Sequence, residues 1–144
     1  MDRISEEIES KIRASFENQT MMATMGARLD SVESGKVSIS SPVLEGFRQQ
    51  QDFAHGGLIF ALGDTAAGYA ALSVMPIDVE VMTVELKINL MAPAPASGTL
   101  IAEGKVLKPG KRLVVVASDV WSQDRDGNRR QVAALQGTMI PVSV

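Results

Sequence analysis

The chain has 144 residues, a formal net charge of -3 at pH 7, one histidine and no cysteine. This length suits a single domain, and the acidic balance argues against a nucleic-acid partner. Without cysteine the chain can form neither disulfides nor thiolate metal sites. One histidine is too few for a zinc site within one chain, so no metal is predicted.

Residues 1–22 carry one apolar stripe. Ile4, Ile8, Ile12 and Phe16 recur every four residues among charged side chains, which predicts an amphipathic helix that packs on the rest of the domain. Because charges interrupt this segment throughout, it resembles neither a signal peptide nor a membrane span. We therefore expect a cytoplasmic protein with no membrane partner.

From Ala27 the period of the apolar residues changes to two. Residues 27–34 and 36–43 predict a hairpin that turns at Gly35, and residues 46–53 predict a loop. Four further strands are predicted over 84–90, 99–107, 112–122 and 130–140, and we expect them to form an antiparallel meander. Residues 108–111, with Pro109 and Gly110 in the central places, predict a type II turn.

The stretch over residues 54–77 is the centre of the predicted fold. It is apolar on every side, which predicts a helix that is buried all round inside a curved sheet. Gly63 and Gly68 each cost helix propensity of about 1 kcal/mol, so another backbone or a ligand is expected to approach closely at both. The stretch holds one carboxylate, Asp64, with His55 at its entrance. A buried, unpaired carboxylate is costly and marks a candidate functional site.

These elements predict an α+β domain in which one curved antiparallel sheet wraps one long helix. At this point the sequence resembles the hotdog-fold acyl-CoA thioesterases of the phenylacetate-degradation (PaaI-like) group, over about residues 25–141. The matching segments are HGGLIFALGDTAAG (55–68), TVELKINLMAPA (83–94), KPGKRLVVVASDVW (108–121) and AALQGTMIPV (133–142). The resemblance implies hydrolysis of an aryl- or medium-chain acyl-CoA to free acid and CoA, with no cofactor beyond the substrate's own coenzyme A.

Thioester hydrolysis needs a polarised carbonyl and an activated water or nucleophile. Gly56 and Gly57 stand where the helix begins, and backbone N–H groups there, supported by the helix dipole, can form an oxyanion site that a carbonyl approaches closely. The resemblance implies that the Gly56 N–H is the donor. The alternative is that the two glycines only ease the loop into the helix.

Asp64 and His55 are nine residues apart, which is about 13 Å along a helix and too far for contact within one chain. The resemblance implies that Asp64 of one subunit faces His55 and Gly56 of another across paired sheet edges. A homodimer is then the minimal active unit, and a homotetramer is expected. Asp64 acts either as a general base or as a nucleophile, and both remain open. The alternative is a structural aspartate bonded to backbone or to a serine or threonine, such as Thr65 or Ser73.

The resemblance adds further site residues. Gln49 stands where the phenylacetate-type enzymes usually carry asparagine, which leaves the substrate class and the water geometry open, and Thr83 stands near the place of the nucleophilic water. His55 is expected to hold the loop and to bond near the thioester. The predicted substrate contacts are Gly57, then Leu58 and Leu62 for the acyl group, then Arg48, Lys108, Lys111 and Arg112 for the CoA phosphates.

Three other functions remain. A hotdog dehydratase or hydratase uses differently spaced histidine and acidic residues, which this chain lacks. A non-catalytic acyl-CoA-binding protein with the same fold would bind the ligand without releasing thiol. A structural oligomer with an idle aspartate would not be stabilised by acyl-CoA.

Overall fold

The structure is a computed structural model that describes residues 3–144. It contains three helices, α1 (Glu6–Glu17), α2 (Thr20–Met25) and α3 (Gly56–Leu72). The six strands are β1 (Arg28–Glu33), β2 (Lys36–Pro42), β3 (Glu80–Leu90), β4 (Thr99–Pro109), β5 (Val114–Gln123) and β6 (Arg129–Val142). Within this range, no helix combines the length and the hydrophobicity that crossing a membrane requires.

The strands form one antiparallel sheet in the order β1-β2-β4-β5-β6-β3. This confirms the predicted α+β class with a sheet around a central helix, but it corrects the predicted four-strand meander. Only β4, β5 and β6 follow one another, while β3 crosses to the far edge and pairs with β6. The β3 edge that does not face β6 has no partner strand among residues 3–144.

The concave face of the sheet holds α3 because the residues that meet there are small. A Cβ atom added to Gly104 of β4 would lie 2.3 Å from the carbonyl carbon of Ala66, so the helix backbone rests almost directly on that strand. At Gly63 the close neighbour is a side chain and not the expected backbone or ligand, since a Cβ there would lie 2.8 Å from a methyl of Leu135. At Gly68, no atom of the described residues would come within 4 Å, so that expectation is wrong within one protomer.

The N-terminal segment forms α1, but this helix ends at Glu17 and α2 begins at Thr20. The single helix predicted over residues 1–22, of which residues 1 and 2 lie outside the described range, is therefore divided in two. Ser5 caps α1 by accepting a hydrogen bond from the N–H of Ile8 at 3.2 Å, and three glutamates in the first turn suit the positive end of its dipole. Its buried residues Ile12 and Phe16 pack against the core, where the Phe16 ring lies 6.4 Å from that of Tyr69 on α3. α1 therefore covers the C-terminal half of α3.

Two local predictions are corrected. The β4–β5 turn begins later than predicted, because Lys108 and Pro109 still pair with Val115 and Val114, and Gly110 does not have the positive φ of a type II turn. Glycine is required there because a Cβ would lie 2.4 Å from the Leu113 carbonyl oxygen. In β3, a bulge lies between Thr83 and Glu85 and Val84 is exposed, so the alternation predicted over 84–90 holds only from Leu86 to Asn89, since Leu90 is exposed as well.

Candidate active site

The start of α3 is a helix N-terminus capped by a histidine. His55 has extended backbone angles, and its Nδ1 accepts a hydrogen bond from the Gly57 N–H at 2.8 Å. His55 therefore caps the start of α3, and its side chain is exposed on the surface of the protomer.

The Gly56 N–H differs from the N–H groups that follow it. Leu58 and Ile59 both donate to the His55 carbonyl, and Gly57 donates to the His55 ring. No acceptor for the Gly56 N–H lies within hydrogen-bonding distance in residues 3–144. An unpaired N–H at the positive end of a helix dipole is suited to bind a developing negative charge on oxygen.

Gly56 opens onto a cavity of about 400 Å³. Its polar lining includes Gln49, which the sequence predicted, and its apolar lining comes from residues that the sequence analysis did not assign to the site. These apolar residues are Phe53, Ile59, Leu90 and Met91, with Ala54, Ala92, Pro93 and Ala94. They belong to segments far apart in the chain, which the pairing of β3 with β6 and the hydrogen bond from the Ala54 N–H to the Ala94 carbonyl bring together.

A turn holds Gln49 at the rim of this cavity. Its side-chain oxygen accepts from the N–H of Gln51, and its own N–H donates to the Phe53 carbonyl at 2.8 Å. Within the same turn, Asp52 has a φ of 62°, which a non-glycine residue rarely adopts. The turn therefore holds the Gln49 side chain by its oxygen, in the lining of the same cavity as Gly56.

A second cavity of about 350 Å³ lies on the other side of the helix start. Arg48, His55, Gly57 and Leu58 contribute to it, together with Met21, Gly46 and Phe47. The Arg48 Nε donates to the Val43 carbonyl at 3.0 Å, which fixes this guanidinium near the helix start. Leu62, by contrast, is completely buried in the core and lines neither cavity, so its contact with an acyl group stays a prediction.

Asp64 lies two turns further along α3 and is only half-buried in the protomer, which corrects the prediction that the helix is enclosed on all sides. Its Oδ1 accepts a hydrogen bond from the Thr83 hydroxyl of β3 at 2.8 Å. Within residues 3–144 it forms no ion pair. The two partners named as examples do not bond to it, because the hydroxyls of Thr65 and Ser73 donate to the carbonyls of Ala61 and Ala70, and the threonine that does is Thr83.

Asp64 and Gly56 lie on the same side of α3 but do not meet. They are eight residues apart, which is about 12 Å along the axis. Between them, Phe60 and Ala61 are only half-buried, so the whole strip from Gly56 to Asp64 is open in one protomer. The unpaired edge of β3 lies beside this strip and exposes large apolar side chains. They are Met82, Val84, Leu90 and, just after the strand, Met91.

The predicted basic residues fall at opposite ends of the protomer. Thr83 pairs with Met139 and Met139 pairs with Val114, so these three residues form one row across the sheet. The turn before Val114 carries Lys111 and Arg112, with Lys108 at the end of β4, and all three are exposed. This basic turn therefore lies toward the Asp64 end of the site, whereas Arg48 lies at the Gly56 end.

The described residues contain no cluster of three or more histidine, aspartate or glutamate side chains that could hold a metal. The arrangement instead combines a carboxylate with a hydroxyl partner, an unpaired N–H at a helix start and an adjacent apolar cavity.

Comparison with known proteins shows the family of the chain. The model of the thioesterase superfamily matches residues 51–127, which include Gly56, Asp64, Thr83 and the basic turn. The chain belongs to the thioesterase superfamily. The predicted PaaI-like hotdog group is confirmed, and the prediction of a thioester hydrolase is confirmed at the level of the family.

Three similar proteins place the chain within this superfamily. A thioesterase family protein from Silicibacter pomeroyi shares 35% identity and superposes with a TM-score of 0.89, over 95% of this chain and 99% of that one. Acyl-coenzyme A thioesterase PaaI of Escherichia coli is 26% identical over 78% of each chain. Its structure superposes with a TM-score of 0.85 over 97% and 96% of the two chains. A Streptococcus mutans protein solved with acetyl CoA shares 26% identity and a TM-score of 0.70, covering 81% and 89%.

Proposed function

We propose that the protein hydrolyses an aryl- or medium-chain acyl-CoA at a site that two copies of the chain form together. The observation that carries this proposal is that the Asp64 carboxylate and the unpaired Gly56 N–H lie on one open strip of α3, about 12 Å apart. One protomer cannot bring these two groups to the same thioester carbonyl.

A two-fold arrangement brings the groups together. If the α3 helices of two copies pack antiparallel with the axis at Phe60, Gly56 of each copy lies opposite Asp64 of the other, because residues 56 and 64 are equally distant from residue 60. The unpaired edges of β3 then meet beside the helices, which buries the exposed Met82 and Val84 and gives the edge strands partners. A homodimer is therefore the minimal active unit, and association of two dimers stays a prediction.

In this arrangement the reacting groups have separate tasks. The Gly56 N–H donates to the thioester oxygen as negative charge develops on it, and Gln49 lies beside it in the same cavity. Asp64, held by Thr83, takes a proton from water as the water oxygen bonds to the carbonyl carbon. The carbon–sulfur bond then breaks, and CoA leaves as a thiolate that accepts the proton from Asp64.

Asp64 can also attack the carbonyl itself. That route forms a mixed anhydride, which water then opens. Both routes use the same two residues, and the geometry of one protomer favours neither.

The positions of the basic residues are consistent with a CoA ligand at the shared site. In the dimer, Arg48 of one copy and Lys111 and Arg112 of the other approach the same site from opposite sides. Guanidinium and ammonium groups bind phosphates well at such a cavity mouth. The acyl group is placed in the cavity beside Gly56, where Ile59 and Leu90 supply apolar surface.

A panel of acyl-CoAs tests the proposal. We expect release of free thiol from at least one of phenylacetyl-, benzoyl- and hexanoyl-CoA, measured with a thiol reagent. A rise in melting temperature with every acyl-CoA but no thiol release would indicate a binding protein instead. No thiol release and no rise would favour a structural oligomer.

A further inference from the structure

The Thr83 hydroxyl has two acceptors within hydrogen-bonding distance. Its Oγ1 lies 2.8 Å from Oδ1 of Asp64 and 3.1 Å from Sδ of Met139. A hydroxyl has one proton to donate and two lone pairs that accept, so Thr83 can donate to only one of these atoms at a time. Met139 is completely buried on β6, directly paired with Thr83, so its sulfur is held in this place.

We propose that Met139 is a positioning residue that gives the Thr83 hydroxyl a second acceptor, so that Thr83 can serve Asp64 in both of its protonation states. This inference rests on the proposed function for its catalytic consequence. While Asp64 is a carboxylate, Thr83 donates to it. When Asp64 carries a proton on Oδ1, Thr83 accepts that proton's hydrogen bond and turns its own hydrogen to the sulfur.

Removing the sulfur should therefore change the balance between ionised and protonated Asp64 in a direction that a loss of packing would not. Without it, Asp64 is the one acceptor that the described residues offer the Thr83 hydroxyl, so the better acceptor form of Asp64, the carboxylate, is favoured. Losing the hydroxyl itself has the opposite effect, because the carboxylate then loses a donor. A substitution that merely displaced Thr83 would act like the loss of the hydroxyl.

Among the described residues, Asp64 forms no ion pair, and the exposed basic turn of Lys108, Lys111 and Arg112 lies toward its end of the site. Glu85, Lys87, Lys105 and Asp119 line the sheet face turned away from α3, and Glu80 pairs with Lys11 at 3.4 Å. Glu103 pairs with Arg129 at 3.3 Å. α3 itself has no other charged side chain. In the proposed dimer, His55 of the second copy also faces Asp64, and it does so equally in every variant compared.

The test is a carbon-13 NMR titration of protein labelled at the aspartate carboxyl carbons, with the Asp64 signal assigned by its loss in Asp64→Asn. Met139→Leu keeps the volume and removes the acceptor. We expect it to move the Asp64 titration midpoint to lower pH by roughly 0.3–0.5 unit, while Thr83→Val moves it to higher pH by roughly 0.5–1 unit. Adding Met139→Leu to Thr83→Val should cause no further shift.

The matched control is Met25→Leu, which makes the same change at another completely buried methionine, on α2. It should leave the Asp64 midpoint where it is. In activity assays, Met139→Leu should lower kcat about threefold with KM unchanged, since Met139 is buried beneath the site. The inference would be overturned if the Asp64 midpoint in Met139→Leu stayed fixed or rose as it does in Thr83→Val. It would also be overturned if adding Met139→Leu to Thr83→Val shifted the midpoint further.

The titration does not depend on catalysis, so the two proposals can fail separately. A protein that releases no thiol but shows these shifts would defeat the proposed function and leave the hydrogen-bond exchange standing. An active protein without the shifts would support the proposed function and defeat the hydrogen-bond exchange.

Discussion

Asp64→Asn is expected to reduce kcat by about 100-fold or more, the range for removing a positioned general base. The substitution preserves size, and the Thr83 hydroxyl can still donate to the remaining side-chain oxygen, so the site keeps its shape. The amide cannot take a proton from water or attack the carbonyl. The measurement is thiol release from the best acyl-CoA of the panel under saturating conditions.

Asp30→Asn is the control for this substitution. Asp30 is an exposed aspartate on β1, at the opposite edge of the sheet from β3, and its replacement should leave kcat unchanged. If kcat of Asp64→Asn equalled that of both the wild type and Asp30→Asn, Asp64 would have no part in the chemistry.

Gly56→Pro is expected to lower kcat by about 100- to 1,000-fold, the effect of removing one oxyanion donor. Gly56 is the first residue of α3, where proline is well tolerated because its fixed φ suits the helix. The preceding His55 has a ψ of 140°, an extended conformation that proline accepts in its neighbour. The substitution therefore deletes the N–H and leaves the helix in place.

Gly56→Ala separates the N–H from the added carbon. A Cβ at position 56 lies 3.0 Å from a terminal methyl of Leu90, a flexible contact that both variants share. The alanine variant keeps the N–H and should keep most of the activity. Equal losses in the two variants would assign the effect to crowding at Leu90 and not to the oxyanion donor.

The sequence was most informative about features that depend on residues close together in the chain. The apolar stretch over residues 54–77 predicted the central helix, and Gly56 and Gly57 after His55 predicted where it begins. Both depend on residues that are close in the chain. The same holds for α1, whose four-residue repeat is an internal property of the helix.

Non-local pairing could not be predicted in the same way. Consecutive strands usually pair, so β3 was expected beside β4, but it pairs with β6, more than 40 residues away. The Asp64–Thr83 contact and the cavity lining by Leu90 and Met91 both follow from that pairing. Thr83 was named only through the family resemblance, since no local pattern distinguishes it from another strand threonine.

The environment of Asp64 shows a second limit. An apolar helix predicts burial, yet the sheet covers only part of α3 and leaves the strip from Gly56 to Asp64 half-open. The hydrophobicity of a helix predicts that its surface is buried, but it does not predict which part of the protein buries it. In the proposed dimer, that part belongs to the second copy of the chain.

The most direct test of the shared site is a complementation measurement. Asp64→Asn and Gly56→Pro protomers with different affinity tags are produced together, and heterodimers are isolated through both tags. Each heterodimer contains one site with both changes and one site with neither, so its activity should be about half that of the wild-type dimer, far above either parent. Heterodimers as inactive as the two parents would show that Asp64 and Gly56 of different copies do not form one site.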